Sequence, residues 1–88
     1  MKLSCKVQVK NRSGLHTRPA TTIVKMLQNC KCDVTFTLKQ ETVNAKSILS
    51  ILMLAARKNS KITITADGED AGETLDKLVE AFENQFGE

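Results

Sequence analysis

Residues 14–20 read Gly-Leu-His-Thr-Arg-Pro-Ala and hold the chain's only histidine and its only proline. Pro19 cannot lie inside a helix but is tolerated in the first turn, where its missing N–H would have no partner. Ala20, Ile23, Val24 and Leu27 follow at the spacing of one helix face. The helix is therefore expected to begin at about Thr17, with His16 at its N-cap. A helix N-terminus offers free backbone N–H groups and about half a positive charge, which suits an anion. Arg18 adds a planar donor fork that fits phosphate oxygens. Gly14 lets the backbone turn tightly before the helix. A neutral imidazole aimed at such a site is what nucleophilic capture of a phosphoryl group requires. A lone histidine without clustered ligands does not build a metal site, and general acid–base work would call for a partner carboxylate that the neighbouring sequence lacks. A histidine serving only as a polar cap is the plain alternative.

The elements that must position this residue are legible from periodicity. Leu3, Cys5, Val7 and Val9 alternate with polar residues, as in a half-buried strand. After the first helix, Val34, Phe36 and Leu38 alternate, Lys39–Gln40 forms a corner, and Val43 and Ala45 continue as a short third strand. Ser47 opens a second helical pattern as its N-cap hydroxyl. Ile48, Leu49, Ile51, Leu52, Met53 and Leu54 are too many apolar residues for one buried stripe, so part of this helix is expected to expose them. Asn59, beyond the basic "ARKN" run, is the expected left-handed cap. Ile62, Ile64 and Ala66 make a fourth strand. Ala71, Leu75, Leu78, Val79, Phe82 and Phe86 make the face of a last helix. The order β-α-β-β-α-β-α predicts a two-layer α+β sandwich, with helices on one face of an antiparallel sheet.

Composition narrows the function classes. Eighty-eight residues suffice for one domain, here 1–88, with a modest core. No apolar run approaches the ~18 residues that span a membrane, and the alternating N-terminus lacks the h-region of a signal peptide. A net charge of +3 with no Trp or Tyr argues against a nucleic-acid binder. Cys5, Cys30 and Cys32 are odd in number and too few for a zinc site, so they read as reduced thiols. No cofactor is expected.

"GLHTRPA" together with "VNAKSILSILMLAARKNSKITI" resembles the HPr family, the histidine-containing phosphocarriers of the bacterial sugar phosphotransferase system. The resemblance covers nearly the whole chain. It implies an open-faced sandwich with sheet order 1-4-2-3 and a cytoplasmic, monomeric carrier that is not itself an enzyme. It implies that His16 accepts a phosphoryl group on Nδ1 from enzyme I, charged by phosphoenolpyruvate, and passes it to the IIA domains of sugar permeases. Arg18 would steady the phosphate. Ser47 matches a regulatory serine, the target of an HPr kinase/phosphorylase in many bacteria. Thr17, Ala20, Ile48, Leu49 and Leu52 are the expected docking residues, ringed by Arg18, Lys25, Lys46 and Arg57. The alternative role is a regulatory relative, of the nitrogen-type branch or read mainly through Ser47. Thr17 stands where the family commonly has alanine, and Ser50, Ala55 and Asn59 stand where it often has glycine.

Overall fold

A computed structural model describes residues 1–88. Strands β1 (Lys2–Gln8), β2 (Asp33–Leu38), β3 (Glu41–Asn44) and β4 (Lys61–Asp67) form one antiparallel sheet in the order β1-β4-β2-β3. Helices α1 (Thr17–Leu27), α2 (Ile48–Leu54) and α3 (Ala71–Glu83) connect and cover them. The period-two pattern sets the register. Cys5, Ile64, Phe36 and Val43 lie in one row across all four strands. The neighbouring row Lys6, Thr63, Thr37 and Thr42 faces the other way, toward solvent. The helices bury the apolar side. Phe36, Ile62, Ile64, Ile23, Ile51 and Leu78 are fully buried there. The Phe82 ring meets the Phe36 ring edge to face, with centroids 5.8 Å apart. No helix is long and apolar enough to cross a membrane.

The sheet order, the strand–helix sequence and the corner at Lys39–Gln40 agree with expectation. Three details differ. Ala45 falls just beyond β3, although its N–H still donates to the Val34 carbonyl at 2.9 Å and its side chain is buried. Helix α2 stops at Leu54, and Ala55, not Asn59, takes the left-handed cap at φ 55°. Asn59 is also left-handed (φ 74°), but it lies in the turn into β4, so "ARKN" is outside the helix. The early stop turns Ala56 into the core, where its carbonyl accepts from the Leu15 N–H at 2.9 Å. That tertiary bond tolerates the roughly 1–2 kcal/mol that a left-handed alanine costs. Finally, α3 ends at Glu83. Phe86 lies in a reversed turn with Gln85 (φ 58°), itself (φ 53°) and Gly87 (φ 79°) all left-handed. It still packs edge to face on Phe82, with centroids 4.8 Å apart.

Candidate functional site

Two backbone contacts fix the approach to α1. Gly14 turns at φ 69° and its N–H donates to the Asn11 carbonyl at 3.1 Å. Leu15 then plugs into the core, 4% exposed, with its N–H on the Ala56 carbonyl. The chain is thus pinned on both sides before His16, which is the N-cap of α1 in extended geometry (φ −83°, ψ −169°). Its carbonyl accepts the first helical bond, from the Ala20 N–H at 3.0 Å. Its side chain makes no cap hydrogen bond and stands 39% exposed at the helix end. Pro19 follows, buried, within the first turn. Thr17 and Arg18 are exposed beside the ring.

The ring has one close partner. Its Nε2 lies 3.1 Å from Oε2 and 3.3 Å from Oε1 of Glu88. Glu88 is held in turn by the Asn11 side-chain amide, which donates to Oε1 at 2.6 Å and to the Gln85 carbonyl at 2.8 Å. The Asn11 amide, and after it His16 and Arg18, hold the Glu88 carboxyl below the usual carboxylate range. An ionised carboxylate can only accept, so Nε2 must carry the proton. In the neutral ring this leaves the lone pair on Nδ1. The reversed turn at Gln85–Gly87 is what brings Glu88 back to the first helix.

The second element of the site is α2. Ser47 caps it: the Ser47 Oγ accepts from the Ser50 N–H at 3.2 Å. Leu49 and Met53 are exposed at 67% and 71%, while Ile48 and Leu52 are half-buried and Ile51 and Leu54 are buried. The exposed apolar face expected from the crowded pattern is therefore present. Met53 is part of it and was not among the expected docking residues. Ala20 must be removed from them: it is 0% exposed, because the face that carries Ile23 and Leu27 into the core carries Ala20 with it. Between α1 and α2 runs a groove lined by Val24, Ile48, Lys25 and Lys46. Glu88 and Asn11 are the residues that sequence reasoning missed. They are separated by 77 positions, and no local pattern marks either.

Comparison with known proteins gives the family. The family model described as "PTS HPr component phosphorylation site" matches residues 3–84. The phosphocarrier protein HPr of Chlamydia muridarum is 46% identical over 86 residues, which is 98% of this chain and 83% of that protein. The crystal structure of an HPr from Thermoanaerobacter tengcongensis superposes with a TM-score of 0.93 at 31% identity, covering 98% of this chain and 97% of that one. An HPr from Bacillus anthracis gives 0.85 at 39% identity, covering 90% and 94%. With the family model spanning nearly the whole chain and relatives well above 30% identity, the chain belongs to the HPr family, the phosphocarriers of the phosphotransferase system.

Proposed function

We propose that His16 accepts a phosphoryl group on Nδ1 from phosphorylated enzyme I and passes it to IIA domains of sugar permeases, as a carrier rather than an enzyme. The observation that carries this reading is the ring at the α1 N-terminus, with Nε2 against Glu88 and Nδ1 without a hydrogen-bond partner. In the transfer, the Nδ1 lone pair forms the new N–P bond while the bond from phosphorus to the donor breaks. The phosphoryl oxygens gain negative charge where the Thr17 and Arg18 backbone N–H groups and the Arg18 guanidinium supply positive potential. The exposed position of His16 fits a carrier, whose substrate is the surface of another protein. Incubation with enzyme I and phosphoenolpyruvate should add one phosphate, acid-labile and alkali-stable, seen by intact mass. An unchanged mass would refute the reading.

Docking falls to Thr17, Ile48, Leu49, Leu52 and Met53, with Arg18, Lys25, Lys46 and Arg57 around them to meet acidic partner surfaces. We place the carrier in the cytoplasm as a monomer. Ser47 is the regulatory position, open to an HPr kinase/phosphorylase. Phosphate there gains from the α2 N-terminus, so the domain should stay folded. It also puts negative charge at the rim of a contact made with acidic partners, where like-charge juxtaposition can cost several kcal/mol. The expected result is slower phosphorylation of His16 by enzyme I, with the melting temperature unchanged or slightly raised. Ser47→Asp, with about half the charge, should be a weaker mimic. Wild-type rates for both forms would leave Ser47 as a helix cap only. The regulatory alternative is favoured instead if phosphorylated enzyme I charges His16 but no IIA domain discharges it.

A further inference from the structure

The Cys30–Lys31–Cys32 segment joins α1 to β2 and lies apart from His16, and the phosphocarrier role makes no use of its thiols. In an extended chain the side chains at i and i+2 share a face but stand too far apart for a disulfide, whose Cβ atoms must come within about 3.5–4.5 Å. Here the chain bends at Lys31 and Cys32. The bend is held by Asp70, whose two carboxylate oxygens accept from the Lys31 N–H at 2.8 Å and the Cys32 N–H at 2.9 Å. These bonds hold the Asp70 carboxyl below its ordinary range. Gly68 closes the other side: a Cβ built there would lie 2.6 Å from the Cys32 Cα. The bend brings the Cys30 side chain back over the Cys32 backbone. Cys30 Sγ lies 3.5 Å from the Cys32 carbonyl oxygen. The two thiols differ in access. Cys30 is partly exposed and Cys32 is fully buried. Burial pushes the Cys32 thiol up, so it does not react first.

We propose that Cys30 and Cys32 are a reversible dithiol–disulfide pair, with Cys30 as the entry thiol and Cys32 as the resolving one. The oxidant is a low-molecular-weight disulfide. The Cys30 thiolate attacks one of its sulfurs, forms a mixed disulfide and releases one small thiolate. Cys32 gives up its proton and attacks the Cys30 sulfur, which forms the internal bond and releases the second small thiolate. The two protein thiols lose two electrons in all, and the small disulfide is reduced to two thiols.

Closure has a defined mechanical consequence. Cys32 is clamped between Gly68 and Asp70, so Cys30 is the residue that moves. The Cys30 carbonyl accepts from the Lys46 Nζ at 3.3 Å, and Lys46 lies in the α1–α2 groove directly before Ser47. Oxidation therefore withdraws the anchor of Lys46 at the start of α2.

The experiment uses Cys5→Ser protein, which leaves only these two thiols. It is incubated, folded and reduced, with glutathione disulfide near pH 8. The expected product is two hydrogens lighter, retains no free thiol, and yields one peptide linking positions 30 and 32. Adding Cys32→Ser should stop the reaction at a glutathione adduct on Cys30. Adding Cys30→Ser should leave the protein unmodified. In the oxidised form the backbone amide signals of Lys46 and Ser47 should shift and return on reduction. A lasting glutathione adduct when both cysteines are present, no reaction at all, or a disulfide that leaves Lys46 and Ser47 unmoved would overturn the proposal.

Discussion

Replacing His16 with alanine should abolish phosphorylation by enzyme I and leave the domain folded. The expectation follows from what the side chain does and does not touch. It makes no cap hydrogen bond, so the backbone geometry at the start of α1 does not depend on it. Losing a bonded N-cap side chain costs about 0.5–2 kcal/mol, and this one has no such bond to lose. What disappears is the contact with Glu88, on a half-exposed ring. A small shift in melting temperature with complete loss of phosphoryl uptake separates chemistry from folding. Phosphate that persists in His16→Ala protein would place the acceptor elsewhere and sink the assignment.

Gly14→Ala should produce the largest loss of stability among single-methyl changes near the site. The position is left-handed, and a Cβ there would collide with the Ala56 carbonyl oxygen and come within 3.0 Å of the Arg57 Cα. The carbonyl cannot swing away without breaking its bond to the Leu15 N–H. A left-handed alanine costs roughly 1–2 kcal/mol. Forcing backbone apart in a packed region adds about 1–3 kcal/mol. The total, about 2–5 kcal/mol, is a large fraction of the roughly 5–15 kcal/mol that stabilises a small domain. Gly87→Ala is the internal control. Gly87 is also left-handed (φ 79°) but has open space where its Cβ would go, so only the conformational cost applies. Urea unfolding of both variants checks this: Gly14→Ala should have much the lower midpoint. Equal midpoints would show that the contact with Ala56 is not tight.

Local pattern carried most of the architecture. Strict alternation named the inward rows of β1, β2 and β4, and Pro19 placed the start of α1 because a proline ring fits only the first turn. The excess of apolar residues in α2 announced an exposed face, and Leu49 and Met53 supply it. What escaped the sequence was decided by contacts between distant parts. Preference alone puts a left-handed cap at Asn59, but Leu15 needs the Ala56 carbonyl, and that moved the cap to Ala55. Spacing of four from Phe82 put Phe86 on the helix. The reversed turn after Glu83 keeps the packing of the rings but not the helix. Ala20 satisfied both the core pattern and the expected docking set, but at 0% exposure its short side chain serves only the core. The Glu88 carboxylate reaches His16 across 72 positions, through a turn with no regular sequence signal.

The central claim is that Nδ1 of His16 is the nucleophile, with Nε2 protonated toward Glu88. Nitrogen NMR of protein labelled at its single histidine tests this at one residue. In the neutral ring, Nε2 should resonate as the protonated nitrogen and Nδ1 as the bare one. After incubation with enzyme I and phosphoenolpyruvate, the coupling to phosphorus should appear on Nδ1. A neutral ring protonated on Nδ1, or phosphorus coupled to Nε2, would contradict the account.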